Sequence, residues 1–234
     1  MPEKPEHVLA IIPARGGSKS IPRKNIRPLA GQPLVAYSIE SSLNASLIDR
    51  TVVSTDDEEI ARVATQYGAE IVMRPAALAT DKAITELAMV HAVEQLEKGG
   101  WPVNIIVLLQ PTTPFRPANL IDVCITKLID EKADSLLTVC PAHLFFWERE
   151  NGEVRAHYDY NHRPMRQDMK PMYEENGNVY VTRREILMSH GNRLGGKIEL
   201  YVMEREDSMD INAPFDFWLA EKIMEYRGQG DETD

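Results

Sequence analysis

Cysteine is nearly absent: Cys124 and Cys140 are the only two in 234 residues, and no CxxC spacing occurs. Neither a disulfide framework nor a zinc site is expected from so few thiols, and both are assigned to the core. Long apolar runs are also missing, so no segment has the length to cross a bilayer, and the opening MPEKPEH carries no hydrophobic stretch of the signal-peptide kind. These two absences predict a cytoplasmic protein with no membrane partner. Positive charge is in deficit, with 26 Lys and Arg against 36 Asp and Glu, a net charge of -10 and a pI near 5.2. Nucleic acid is therefore not an expected partner. The commoner phosphate signatures are lacking as well, since GxxxxGK[ST] is nowhere in the chain and no GxGxxG opens a helix.

Against that background stands the stretch Leu9 to Asn25, LAIIPARGGSKSIPRKN. Val8 to Ile12 is apolar and rich in β-branched residues, which suits a central strand of a parallel sheet buried on both faces. Pro13 has no N–H to give and is expected to end the pairing, while Gly16 and Gly17 allow close approach of the backbone. Arg15, Lys19, Arg23 and Lys24 place four cations within ten residues. A glycine turn of free N–H groups ringed by cations describes a polyphosphate site; a solvated basic loop is the alternative.

The rest of the chain alternates between two periods. Helical spacing predicts helices over 34–43, 58–67, 84–98, 120–131 and 214–226, and β-branched or apolar runs predict strands over 51–55, 70–73, 103–109, 135–140 and 198–203. Thr55 or Asp56 is expected to cap the second helix. The alternation argues for one α/β domain over 1–234, a doubly wound, mostly parallel sheet with one nucleotide-binding half. Ligands of such sheets bind beyond the carboxyl ends of the strands, where the loops 74–81 and 110–117 leave. From Pro141 the periodicity is lost, and 141–172 reads as hairpins or an extended arm whose Leu144, Phe145, Phe146 and Trp147 want burial. A dimerisation arm is the expectation, with a local aromatic cluster as the alternative. Residues 228–234 read as a disordered tail.

Several of these segments resemble one family. IPARGGSKSIPRKN is close to the IPARGGSKGIPRKN of the cytidylyltransferases that activate nonulosonic acids, the acylneuraminate cytidylyltransferase family, and departs from it only at Ser20. VSTDDEEIA, the Arg74 to Asp81 stretch (RPAELA-D in the family) and LLQPTTPFR (LLQPTSPLR) follow in order, then the pair Arg166 and Gln167, an Asn176-Gly177 turn feeding Val179 and Tyr180, and SMDIN for SIDID. The resemblance implies a Rossmann-like fold of the nucleotide-diphospho-sugar transferase type, a homodimer, and transfer of CMP from CTP to a nonulosonic acid with Mg2+ as cofactor. It assigns Arg15, Lys24 and Asp210 to catalysis. Ala14, Gly16, Gly17, Ser18, Lys19, Asn25, Arg74, Ala83 and Thr85 join Arg15 and Lys24 at the nucleotide, with the Ala83 backbone reading the base edge. Gln110, Arg166, Gln167 and Tyr180 fall to the sugar, Asp210 and Asn212 to the metal, and Arg116 to a structural role.

Two departures qualify the match. Asn212 stands where the family has an acid, with Asp207 or a backbone group as possible compensation, and Glu174 stands where some sialic acid enzymes carry a basic residue. Sialic, legionaminic, deaminated and 8-amino acids stay open as acceptors; Kdo enzymes have a differently built first loop, and pseudaminic enzymes differ near Asn176-Gly177. Another sugar nucleotidyltransferase and a catalytically silent nucleotide-binding subunit remain as alternatives.

Overall fold

A computed structural model describes residues 7–230. In chain order the elements are β1 (Val8–Pro13), β2 (Pro28–Leu29), β3 (Gln32–Pro33), α1 (Leu34–Leu43), β4 (Arg50–Thr55), α2 (Glu58–Gln66), β5 (Glu70–Met73), α3 (Thr85–Lys98), β6 (Ile105–Leu109), α4 (Leu120–Asp130), β7 (Ser135–Ala142), β8 (Trp147–Glu150), β9 (Glu153–Ala156), β10 (Met172–Arg183), α5 (Arg184–His190), β11 (Ile198–Val202) and α6 (Pro214–Gly230). Seven strands form the main sheet in the order β11-β7-β10-β6-β1-β4-β5. All neighbouring pairs are parallel except those of β10, which runs antiparallel to both β6 and β7.

Strand parity divides the core. Val8, Ala10 and Ile12 of β1 with Ile105, Val107 and Leu109 of β6 pack under α1, α2 and α4. Leu9 and Ile11 with Ile106 and Leu108 pack under α3 and α5. Such two-sided burial is why these strands read as continuous apolar runs. Cys124 and Cys140 are buried and unpaired, and burial pushes the Cys124 thiol up to about 12. The chain steps from β1 to β4 and β5 and then returns to β6 on the other side of β1. That reversal opens a crevice at the carboxyl end of the sheet between β1 and β6.

A third apolar cluster fixes the loops around the crevice. Ile21 from the first loop, Leu29 from β2, Phe115 from the loop after β6, and Ile211 and Phe217 from the end of the chain are buried together. Two polar contacts reinforce it: Ile211 N–H donates to the Thr112 carbonyl at 2.8 Å, and Lys24 Nζ donates to the Ile211 carbonyl at 2.9 Å.

Several expectations need correction. Pro13 is still in register with Ser54, and Ala14 N–H donates to the Ser54 carbonyl, so pairing outlasts the proline. The helix cap is neither Thr55 nor Asp56 but Asp57, whose carboxylate accepts from Glu59 and Ile60 N–H at 2.9 and 3.0 Å, while Thr55 Oγ1 accepts from Asp57 N–H. Asn176-Gly177 is not a turn between elements but a bulge inside β10, marked by a register shift between Glu175 and Tyr180. The segment 141–172 carries a separate hairpin of β8 and β9, turned by Asn151 and Gly152 with φ of 50° and 86°. Its rings pack partly on one another, Phe145 against Tyr158 at 4.5 Å between centroids. Residues 228–230, expected in a tail, belong to α6, and the expectation for 231–234 lies outside the described residues, as does that for 1–6.

Asp57 also accepts from the Arg23 guanidinium, the larger reason its carboxyl sits below the usual carboxylate range. Its stabilisation is complete above the ordinary carboxylate pKa and is lost as pH falls through the lowered one. Asp57→Ala is expected to cost about 1–2 kcal/mol as a lost helix cap, read by urea unfolding at neutral pH, with the difference from the parent shrinking in acid.

Candidate functional site

The crevice is a cleft of about 450 Å³ formed by the loops after β1, β5 and β6 and the strand-to-helix loop before α6. Arg15, Ser18, Lys19, Lys24 and Asn25 line one wall, Arg74, Ala83 and Thr85 a second, and Gln110 and Asn212 the side towards the chain end. These residues come from positions 15 to 212, so only the folded sheet brings them together.

The first loop is held from within. Asn25 Nδ2 donates to the Arg15 carbonyl at 2.9 Å, which folds the loop back on itself. Gly16 has no room for a side chain, since a β-carbon would stand 2.6 Å from Asp57 Oδ2, whereas one at Gly17 would meet nothing within 4 Å. The expected row of free amides is only partly present: Gly16 N–H donates to Asp56 Oδ1 at 3.1 Å and Ser18 N–H to the Gly16 carbonyl at 3.2 Å. Ala14 is buried in the core beneath the loop, and neither Ala14, Gly16 nor Gly17 lines the cleft. Arg23 is turned to Asp57, the cap of α2, and to Glu59 in its first turn, leaving three of the four cations at the opening.

Those three cations differ in environment. Lys24 is partly buried: burial lowers its pKa, Asp210 raises it, Arg15 lowers it and Asp216 raises it. Arg15 donates to the Thr80 carbonyl at 3.0 Å and pairs with Asp81 at 3.1 Å, and Asp81 also pairs with Lys19 at 2.6 Å. Asp81 therefore competes with any anion that uses Arg15 and Lys19. Because the pairs are exposed, Asp81→Asn is expected to tighten triphosphate binding only about three- to fivefold, measured by calorimetry; weaker binding would instead make Asp81 an organiser of Arg15.

Arg74 is 8% exposed, its N–H anchored to the Thr55 carbonyl at 2.8 Å. Burial lowers its pKa while Asp56 raises it, and its Nε has no hydrogen-bond partner among the described residues. A buried guanidinium with a spare donor beside a cleft suits a carbonyl oxygen of a ligand. Ala83 N–H is spent on the Thr80 carbonyl at 3.1 Å, so its carbonyl is the backbone group left to read a base edge.

Three sugar candidates are not among the residues lining the cleft, although Tyr180 is near enough to Asp210 for that charge to add, after burial and Glu175, to the rise in its pKa. Arg166 and Gln167 are exposed in a short 3-10 turn of the arm and do not line the cleft. Tyr180, 3% exposed, packs on the α3 and α5 side of the sheet. Its hydroxyl donates to Glu175 at 2.5 Å, and Arg193 lies 4.8 Å from its ring. Burial first, then Glu175, raises its pKa. The bulge in β10 decides which face Tyr180 occupies. Glu174 faces Arg205 at 3.8 Å.

At the chain end Asn212 Nδ2 donates to Asp210 Oδ2 at 2.8 Å, while Asp207 is taken by Arg227 and does not compensate. No cluster of three or more His, Cys, Asp or Glu able to hold a metal exists among the described residues. Asn212 lines the cleft and Asp210 does not, although Asp210 is near enough to Lys24 for its charge to be felt there; these two are the residues that would hold a magnesium ion, which with few carboxylates draws its other ligands from phosphate and water. Sequence reasoning missed Asp81 as a counter-charge and Asp216, which accepts from Asn212 and Ala213 N–H at 2.9 and 2.7 Å. The signal for Asp216 was present as an acid two residues after Pro214, at the start of a helix.

Comparisons with known proteins bear on the same residues. A family model described as Cytidylyltransferase matches residues 9–227. The chain is 34% identical over 225 residues to N-acylneuraminate cytidylyltransferase A of Danio rerio, covering 94% of this chain and 51% of that protein. It is 33% identical over 224 residues to the CMP-N,N'-diacetyllegionaminic acid synthase of Legionella pneumophila, covering 93% and 96%. It is 33% identical over 221 residues to a pseudaminic acid cytidylyltransferase of Campylobacter jejuni, covering 92% and 95%. The chain thus spans about half of the zebrafish relative and nearly all of the two bacterial ones. Among solved structures, a CMP:2-keto-3-deoxy-manno-octonic acid synthetase complexed with CTP shares the fold, with a TM-score of 0.73 at 16% identity, covering 94% of this chain and 99% of that one. Identities this close do not separate pseudaminic from legionaminic relatives, so the expectation that set pseudaminic enzymes apart finds no support in them.

Proposed function

The chain belongs to the cytidylyltransferase family, and from that premise we propose that it transfers CMP from CTP to the anomeric hydroxyl of a nonulosonic acid. The observation that carries the reading is the convergence of Arg15 and Lys24 with Arg74, Gln110 and Asn212 on one cleft of an otherwise negative molecule. The anomeric oxygen attacks the α-phosphorus in line, a new P–O bond forms, the bond to the β-phosphate bridge breaks, and pyrophosphate leaves as the hydroxyl proton passes to solvent. Arg15 and Lys24 meet the charge that grows on the leaving group, so positioning and electrostatics do the catalysis. A magnesium ion on Asp210 and Asn212 would add charge neutralisation there when bound.

The base end supports cytosine. Its exocyclic amine is a donor where uracil presents an acceptor, and the Ala83 carbonyl favours the donor, with Arg74 serving the ring carbonyl. A homodimer is part of the proposal, because Leu144, Phe146, Trp147, Tyr160 and Met165 leave an apolar surface on the arm that a second copy would cover. No helix among the described residues is long and apolar enough to cross a membrane; two small anionic substrates suit a cytoplasmic enzyme.

Pyrophosphate release tests the reading, run with each of the four nucleoside triphosphates against sialic, legionaminic, pseudaminic, deaminated, 8-amino and Kdo acids. Release with CTP and at least one acid other than Kdo is expected. A preference for another triphosphate would make the protein a different sugar nucleotidyltransferase, and CTP binding without release under any acid would make it a silent nucleotide-binding subunit.

A further inference from the structure

Gly177 sits in the β10 bulge with φ of +70°, between Asn176 and Asn178, both buried. A β-carbon built on it would stand 2.5 Å from Gln110 Oε1, against 3.7 Å from Gln110 Cδ and 3.8 Å from Thr113 Cγ2. The Gln110 side chain thus lies in the space that a side chain at 177 would take, with its amide oxygen turned to the strand.

The two backbones at this contact are clamped together. Arg116 donates to the Gln110 carbonyl at 2.8 Å, to Thr113 Oγ1 at 3.0 Å and to the Asn178 carbonyl at 3.2 Å. Thr113 Oγ1 donates to the Gln110 and Gly177 carbonyls at 3.0 and 3.4 Å. Asn176 Oδ1 accepts from Thr138 Oγ1 at 2.7 Å and from Asn178 N–H at 3.1 Å, and Asn178 Nδ2 donates to the Phe115 carbonyl at 2.8 Å. With the main chain so tied, crowding at Gly177 is relieved by moving the flexible end of Gln110.

We propose that Gly177 is a positioning residue for acceptor recognition: its missing β-carbon holds the Gln110 amide oxygen against β10 and leaves the Gln110 N–H2 group facing the cleft, where it donates to an oxygen of the sugar acid. This rests on the proposed reaction for its kinetic readout, while the geometry can be tested without it.

Gly177→Ala is the test, with Gly191→Ala as control, since Gly191 also has positive φ but a β-carbon there would meet nothing within 4 Å. A crystal structure of Gly177→Ala is expected to show Gln110 displaced with the β10 backbone in place; an unmoved Gln110 overturns the proposal whatever the protein catalyses. In kinetics, Gly177→Ala is expected to raise the acceptor KM about tenfold, the loss of one hydrogen bond, with the CTP dissociation constant within twofold of the parent. Gly191→Ala leaves both constants unchanged. Adding Gly177→Ala to Gln110→Ala is expected to change KM no further, because the group it displaces is gone; multiplying effects would overturn the assignment. Gln110→Glu, which sets acceptors where a donor stood, is expected to raise acceptor KM more than Gln110→Ala, and an equal or smaller rise overturns the donor role. Absence of pyrophosphate release by the parent would refute the proposed reaction, and the crystal structure would still decide the contact.

Discussion

Lys24→Ala is expected to lower turnover with CTP at least ~10²-fold, the scale on which a preorganised donor to developing charge acts, and Arg15→Ala to do the same. Lys24 is fixed before any ligand arrives. One of its three donors goes to the Ile211 carbonyl, and its loop is pinned by the cluster of Ile21, Leu29, Phe115, Ile211 and Phe217. The remaining donors face a cleft also lined by Arg15, close enough for each charge to be felt by the other. Removing either leaves the leaving group half-neutralised at the moment its charge grows. Pyrophosphate-release kinetics check this beside CTP calorimetry: the loss should appear mainly in kcat. Full turnover in either variant would take the first loop out of the reaction.

Asp210→Asn is expected to lower turnover on the order of 10²-fold, as for loss of a metal clamp on a transferring phosphoryl group, and to raise the Mg2+ concentration needed for half-maximal rate. Asp210 is the one carboxylate of the pair it forms with Asn212. A second consequence follows from its neighbour. Burial pulls the Lys24 ammonium below its ordinary pKa and Asp210 holds it up, so removing the negative charge lets that pKa fall further. A lysine needed as a cation is then lost at lower pH, and the alkaline limb of the rate profile should move towards neutrality in Asp210→Asn. An unchanged magnesium requirement and an unmoved alkaline limb would leave Asp210 outside the site.

How far such a site could be read in advance depended on the kind of constraint involved. Val8 to Asn25 was legible because one buried strand, adjacent glycines and clustered cations are local features, and the cleft does form at that strand's end. The helices and strands that flank it were legible by period. Asp57 was missed as the cap because Thr55, Asp56 and Asp57 are all competent capping residues, and the backbone angles at entry to α2 chose among them. Tyr180 was assigned to the sugar by resemblance alone; the face it takes, towards α3 and α5, depends on the bulge at Asn176 to Asn178, which adds residues to β10 and breaks the two-residue count of faces. Gly177 could be seen as a glycine but not as the neighbour of Gln110, since that contact joins positions 67 residues apart by number. The packing of Ile21 on Ile211 is likewise invisible to any window of sequence.

The most direct test of the proposed chemistry is 31P NMR of the parent protein turning over CTP with an acceptor acid. Attack on the inner phosphorus predicts pyrophosphate and a single phosphodiester resonance, that of a CMP-sugar, growing in equal amounts. Orthophosphate, or a diphosphate ester in place of the phosphodiester, would mean that a different phosphorus is struck and would contradict the assignment of Arg15 and Lys24 to a leaving pyrophosphate.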